Sequence, residues 1–411
     1  MSETASATSS STVADLDYSI GGVVRRRIEA LKAGDVGILP IVIGLVLIVA
    51  FFYSKNSNFL AAGNFTNLMT QMAAITTIAI GVVFVLLLGE IDLSIGYMSG
   101  VAGVVVATLQ VPDDKWQVTG ILAILIAVIV IAIIGGIQGS FVAILGIPSF
   151  VVTLAGLLIY QGVILQAIGG RGVILIEDSV INNIANYFFS DGWGLFIAAL
   201  STGLFAAATL AGVISRRSHG IRTDNIVLVA AKLALFAVVI FGAVIWANRE
   251  RGFPVAFLLV IIFLVFWTFV AERTTFGRHV YAVGGSAEAA RRAGINVRRI
   301  RIVVFMISGL MAGMGGVMFA SRLNSVDLAA GGGTILLDAI AAAVIGGTSL
   351  FGGRGRVISA LMGALVISTV ANGIDLLGYS SAIKYMVTGS ILLAAVTLDT
   401  VSRRRLARSG R

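Results

Sequence analysis

The chain contains no cysteine and only two histidines, His219 and His279, both in basic stretches. Without cysteine there is no disulfide framework, no thiol nucleophile and no cysteine metal site. Two scattered histidines argue against a histidine metal site or proton relay. Charge is scarce as well. Asp, Glu, Lys and Arg make up 12% of 411 residues, against 58% hydrophobic, and the mean hydropathy is +1.01. That balance specifies a polytopic membrane protein. Proline falls to 4 while glycine reaches 49, which suits helices packed closely in lipid. There is no G-x-x-x-x-G-K-[ST], no H-E-x-x-H and no G-x-S-x-G, so phosphate cradling and the common hydrolytic sites are excluded by those routes. The glycine-rich GGTSLFGGRGR at 346–356 has no lysine. Neither an enzyme nor a cofactor is expected.

What is present is a series of apolar runs, at about 38–53, 65–89, 93–110, 118–139, 149–168, 193–214, 224–247, 254–270, 302–320, 334–349, 356–373 and 382–400. A span takes about 20 apolar residues, so an all-α bundle of ten to twelve transmembrane helices is expected. The run at 38–53 is short, and 334–349 is short and rich in Ala and Gly, so either is a candidate partial span. The expected layout is a tail over 1–37, a membrane domain over 38–400 holding a polar loop at 271–301, and a second tail over 401–411.

The net charge is +9, and its distribution decides what it means. With alternating sides, Lys55, Lys115, Arg171, Arg249, Arg251 and Arg322 fall opposite the N-terminus, and Lys232 and Lys384 fall near span ends. The rest of the 29 Lys and Arg lie on the N-terminal side. Positive charge marks the cytoplasmic side, so both termini and 271–301 are expected there. The charge reads as orientation and contact with anionic lipid, and nucleic acid is not an expected partner. The segment 169–192, opposite, is expected to be a connecting loop; docking of an external partner is the other reading.

The chain is organised around 271–301, AERTTFGRHVYAVGGSAEAARRAGINVRRIR. Within it a short helix is expected over 287–293, about 10 Å long. Ser286 is a plausible N-cap, although the capping box is incomplete because Ala289 stands where Glu or Gln would be. Glu288 lies where the helix dipole favours a carboxylate, and Arg291 and Arg292 lie at the opposite end. Ala289 and Ala290 are strong helix formers, and Gly294 suits the left-handed position that ends a helix. Such a helix between spans is suited to being gripped from the cytosol; an ordinary basic loop that fixes orientation is the plainer reading.

Glycines recur at helical spacing, as Gly135 with Gly139 and Gly309 with Gly313, which predicts close helix packing in lipid. Glu90 and Asp92 interrupt two apolar runs in LLLGEIDLSIG. Carboxylates there are costly unless they face protein or water. They mark either a broken helix beside a solute path or a tight cytoplasmic turn with Asp92 or Ser94 capping the next helix. Gln71, Gln138, Gln161 and Asn372 are uncharged polar groups in or near spans. With Glu90 and Asp92 they are the candidate lining of a path for a neutral polyhydroxy solute, and they serve equally as interhelical hydrogen bonds.

Five stretches in one order, GEIDLSIG (89–96), LGIPSFVVTLAGLLIYQG (145–162), TTFGRHVYAVGGSAEAARRAGINVRRIR (274–301), LDAIAAAVIGGTSLFGGRG (337–355) and ANGIDLLG (371–378), carry a resemblance. The chain resembles the sugar permeases of bacterial ABC importers, of the ribose/xylose type, and among them the D-xylose members most. It departs from many relatives in having Gln138-Gly139 for Asn-Gly and Ser286 for Asn. The resemblance implies an importer in the inner membrane with two permease copies, a cytoplasmic ATPase and an extracytoplasmic sugar-binding protein. It also implies that Ser286, Glu288, Ala289, Ala290, Arg291 and Gly294 belong to a coupling helix seated in the ATPase. An ion-coupled secondary transporter is the alternative, and a passive channel a third class.

Overall fold

The computed structural model describes residues 39–111, 117–220 and 225–408. The expected tail over 1–37, Lys115 and residues 409–411 lie outside them. The apolar runs become helices: α1 (Leu39–Lys55), α2 (Ala62–Leu87), α3 (Ile95–Thr108), α4 (Gly120–Ile144), α5 (Ser149–Ile168), then a short α6 (Ser179–Asn186), α7 (Asp191–Ser218), α8 (Ile226–Ala247) and α9 (Val255–Arg273). Two polar helices follow, α10 (Thr275–Gly285) and α11 (Ala287–Arg292). The chain closes with α12 (Val297–Leu323), α13 (Ile335–Ile345), α14 (Ile358–Leu376) and α15 (Ser381–Arg408). Eight helices are long and apolar enough to cross a membrane, and α1, α3, α13 and the first part of α15 are shorter apolar ones.

The run expected over 93–110 is not a full span. Helix α3 has 14 residues and α13 has 11, about 21 and 16 Å, against a hydrocarbon core of about 30 Å. Each is led in by a non-helical stretch, 88–94 and 328–334. The two helix starts meet: a Cβ on Gly96 would lie 3.2 Å from the Cβ of Leu336 and 2.8 Å from the carbonyl of Gly331. Irregular backbone at such depth is tolerated where protein surrounds it.

At the centre stands α2, buried along nearly all of its apolar length. Its hydroxyls close on their own helix: Thr66, Thr70, Thr76 and Thr77 donate to the carbonyls of Gly63, Thr66, Met72 and Ala73 at 2.7–3.1 Å. Helix α12 packs beside it through its glycines. A Cβ on Gly135 would lie 3.2 Å from the Cα of Gly309, and one on Gly313 3.2 Å from the Cα of Val128. The two predicted small-residue motifs therefore pack against each other, joining α4 to α12 backbone to backbone. Helices α7 and α8 stand outside this core, with almost none of their apolar length buried. They touch it through a cluster holding Met69, Ala198, Val244 and Phe253.

The segment 169–192 is more than a connecting loop. It carries β1 (Val173–Leu175), α6 and β2 (Phe188–Phe189). β1 pairs antiparallel with β4 (Ser325–Asp327), Ile174 opposite Val326, and β2 pairs with β3 (Phe253–Pro254). Asp178 caps α6, accepting from the amides of Val180 and Ile181 at 2.8 and 3.1 Å. These elements fix one end of the bundle. Helices α10 and α11 lie at the other.

Candidate functional site

Helix α11 has the punctuation its sequence predicts and is one residue shorter. Ser286 Oγ accepts from the Ala289 amide at 3.2 Å. Ala293, outside helical geometry at ψ 8°, is the C-cap. Gly294 takes φ +83°. Its amide donates to the Arg291 carbonyl, and the Ile295 amide donates to the Ala290 carbonyl, both at 3.0 Å. This paired closure is the Schellman arrangement, in which the left-handed residue costs glycine nothing. Glu288 sits in the first turn and also pairs with Arg291 at 3.0 Å and Arg292 at 3.1 Å. All three side chains are exposed, so the pairs add little stability. Ala290 alone is buried, at 4%, and holds the helix to the protein while its charged face stays open.

The sequence did not signal α10. Thr274 caps it, accepting from the Gly277 amide at 3.2 Å. Gly277, Val280 and Val283 form its buried side. Tyr281 Oη donates to the Gly355 carbonyl at 2.9 Å. Burial, helped by the negative charge of Glu272 and opposed by Arg356, pushes its phenol above the ordinary value, which keeps it a donor. Glu272 and Arg356 pair at 3.0 Å. Residues 354–356 are thereby tied to α9 and α10.

Three glycine-bearing segments meet beside α10. The Gly353 amide donates to the Leu87 carbonyl at 2.9 Å. A Cβ on Gly284 would strike that carbonyl and lie 2.8 Å from the Gly353 nitrogen. Gly89, Gly352 and Gly353 have φ of +75°, +84° and +71°.

From Leu87 inward, the non-helical stretch is bonded residue by residue to different helices. Glu90 pairs with Arg301 at 3.1 Å, both side chains largely shielded. The Ile91 amide donates to Ser149 Oγ at 3.2 Å, and Thr153 Oγ1 donates to the Ile91 carbonyl at 3.3 Å, which binds α5. Asp92, 4% exposed, accepts from Ser94 through its amide at 3.0 Å and its hydroxyl at 2.7 Å, and from Ser308 Oγ at 2.9 Å. Gln138 Nε2 donates to Ser94 Oγ at 3.0 Å, which adds α4. Arg301 and Ser308 are seven residues apart on α12, so they share one face, and the stretch runs along it. Asp92 caps the start of α3 from within the protein. The stretch is exposed at Gly89 and Ile91 and buried at Asp92 and Ser94.

The six path candidates do not converge. Asp92 and Gln138 share Ser94. Glu90 is near them in sequence but committed to Arg301. Asn372 exchanges two amide hydrogen bonds with Asn64, at 2.8 and 2.9 Å. Gln71 and Gln161 are half-buried on α2 and α5. None of the six lines the cavity of about 230 Å³ between α3, α12 and residues 325–335, where Ser99, Phe319 and Asp327 face the space. Sequence reasoning missed Ser308, Ser149 and Thr153. Ser308 carried a usable signal, a lone hydroxyl two turns from Arg301. Leu87 and Gly353 act through the backbone and carried none.

Residues 64–396 match the family described as branched-chain amino acid transport system / permease component. The xylose transport system permease protein XylH of Escherichia coli K12 is 36% identical over 378 residues, covering 92% of this chain and 95% of that one. Its counterpart in Haemophilus influenzae is 35% identical over 381 residues, covering 92% and 99%. The ribose import permease protein RbsC of Escherichia coli K12 is 30% identical over 358 residues, covering 87% and 92%. No solved structure matches significantly.

Proposed function

The chain belongs to the family of branched-chain amino acid transport system permease components, and on that footing we propose that it is the membrane-spanning subunit of an ATP-driven importer whose solute is a neutral sugar, D-xylose first and ribose second. One observation carries the choice of solute. The xylose permease of Escherichia coli matches at 36% over nearly the whole of both chains, and the ribose permease at 30%. The family description names branched-chain amino acids, so they are the competing solute class.

In this reading a separate cytoplasmic ATPase grips α11, through the exposed face of Ser286, Glu288, Ala289 and Arg291, with Ala290 and Gly294 fixing the helix. An extracytoplasmic binding protein delivers the sugar, and two copies of the chain form the pathway. The chain lies in the bacterial inner membrane with both termini cytoplasmic, supported by the clustering of Lys and Arg on one side. The chain itself is a conduit and performs no chemistry. Of the six path candidates, Gln71 and Gln161 retain the capacity to meet a sugar hydroxyl, because their amides make no side-chain hydrogen bond among the described residues. Glu90, Asp92, Gln138 and Asn372 are engaged by the protein and are assigned to structure.

Reconstitution in liposomes tests the proposal. Labelled D-xylose should enter only with ATPase, ATP and loaded binding protein all present, and leucine should not enter. Uphill uptake by the chain alone on a proton or sodium gradient would instead make it a secondary transporter. ATP-driven leucine entry without sugar entry would place it on the amino-acid branch.

A further inference from the structure

We infer that Gly284 is a positioning residue for transport: it seats the α10–α11 end directly on the Leu87–Gly353 backbone hydrogen bond, so that displacement of α11 reaches the broken stretch 88–94 without slack. This rests on the reading of α11 as the helix that the ATPase grips.

Gly284 lies two residues before Ser286, the cap of α11. The two atoms a Cβ there would meet, the Leu87 carbonyl oxygen and the Gly353 nitrogen, are the partners of one 2.9 Å hydrogen bond. Even a methyl group must separate α10 from that bond or break it. The neighbouring Gly285 differs in the one respect that matters. A Cβ on it meets nothing within 4 Å, so the pair of glycines contains its own control.

The contact is tied on both flanks. On one side Tyr281 holds Gly355 and Glu272 holds Arg356; on the other Arg301 holds Glu90. Leu87 is the last residue of α2, the most buried of the eight long apolar helices. Long side chains change rotamer under load, whereas close-packed backbone has no such freedom and passes a small shift on. A displacement entering at α11 therefore reaches Leu87 and Glu90 together. Ile91, Asp92 and Ser94 then distribute it to α5, α12 and α4.

The test uses the full importer, permease with ATPase and binding protein, in liposomes, and reads D-xylose transported per ATP hydrolysed together with ATPase association. Gly284→Ala should keep the ATPase bound and lower xylose per ATP by about tenfold, a typical size for lost coupling between sites. Gly285→Ala should match the parent. Tyr281→Phe, which adds no atoms and so guards against a folding failure at 284, should lower the ratio about threefold through one lost hydrogen bond. The inference is overturned if Gly284→Ala gives the same ratio as Gly285→Ala, if Gly284→Ala releases the ATPase, or if Tyr281→Phe leaves the ratio unchanged. Failure of the α11 reading would look different: Glu288→Lys would leave both association and transport normal.

Discussion

Asn64 and Asn372 face each other across α2 and α14 and exchange two side-chain hydrogen bonds, 2.8 Å one way and 2.9 Å the other. The exchange holds both amides in place, which fits a structural role for Asn372. Asn372→Leu should leave Asn64 with only its bond to the Phe59 carbonyl and destabilise the protein by about 1 kcal/mol, the net worth of a typical hydrogen bond. The double variant Asn64→Leu with Asn372→Leu should recover most of that loss in thermal unfolding and transport xylose normally. Loss of transport in a stable double variant would return Asn372 to the path.

The Glu90–Arg301 pair should behave as a clamp. Its side chains are 14% and 29% exposed, so removing either charge leaves the other poorly solvated. Glu90→Gln or Arg301→Gln should each cost about 1–3 kcal/mol, less than for a fully buried pair, and should reduce transport. The reversed pair, Glu90→Arg with Arg301→Glu, should restore part of both. A double-mutant cycle on melting temperature and uptake measures the coupling directly.

At Gly294 the prediction concerns backbone alone. Nothing lies within 4 Å of a Cβ added there, but φ is +83°. Gly294→Val should therefore cost about 1–2 kcal/mol of local strain and unwind the end of α11, releasing the ATPase. Gly294→Asn, which tolerates the left-handed region better, should retain more association. Co-purification of the ATPase with each variant decides it.

Topology is open to labelling on the native background, because the chain has no cysteine. Single cysteines at Arg217 and Ser286 should resist an impermeant thiol reagent in intact cells, and those at Glu177 and Arg249 should react. External labelling at 286 would invert the arrangement and rule out the proposed ATPase site.

Much of this protein is legible before folding. Apolar runs located the spans, because lipid leaves the backbone few alternatives to a helix. Ser286, Glu288 and Gly294 announced α11, since caps and left-handed glycines act within one turn of chain. The glycine pairs at 135/139 and 309/313 announced close packing, though not that they pack on each other. Helix length was less legible. Residues 93–110 are apolar enough for a span, yet Asp92 finds Ser308 and the helix starts only at Ile95. The candidate path was the least legible. A glutamine or asparagine in a span has the same sequence signature whether it meets a solute or another amide, and Asn372 meets Asn64. The contact at Gly284 was invisible because its partners, Leu87 and Gly353, contribute backbone atoms, which every residue possesses.

The threonines of α2 bear on how the protein is made. Roughly 200 residues separate Leu87 from Val297, which at about 5–20 residues per second is on the order of ten to forty seconds of synthesis. Throughout that interval the helix destined for the centre has no α12 to cover it. It enters the bilayer with Thr66, Thr70, Thr76 and Thr77 in its sequence, and hydroxyls exposed to hydrocarbon would favour its retreat. Because each already donates to a carbonyl of the same helix, these four hydroxyls are satisfied before any neighbour arrives. What α2 still awaits is a mate for its side-chain amides, and for Asn64 that mate is Asn372 on α14, made later still than α12.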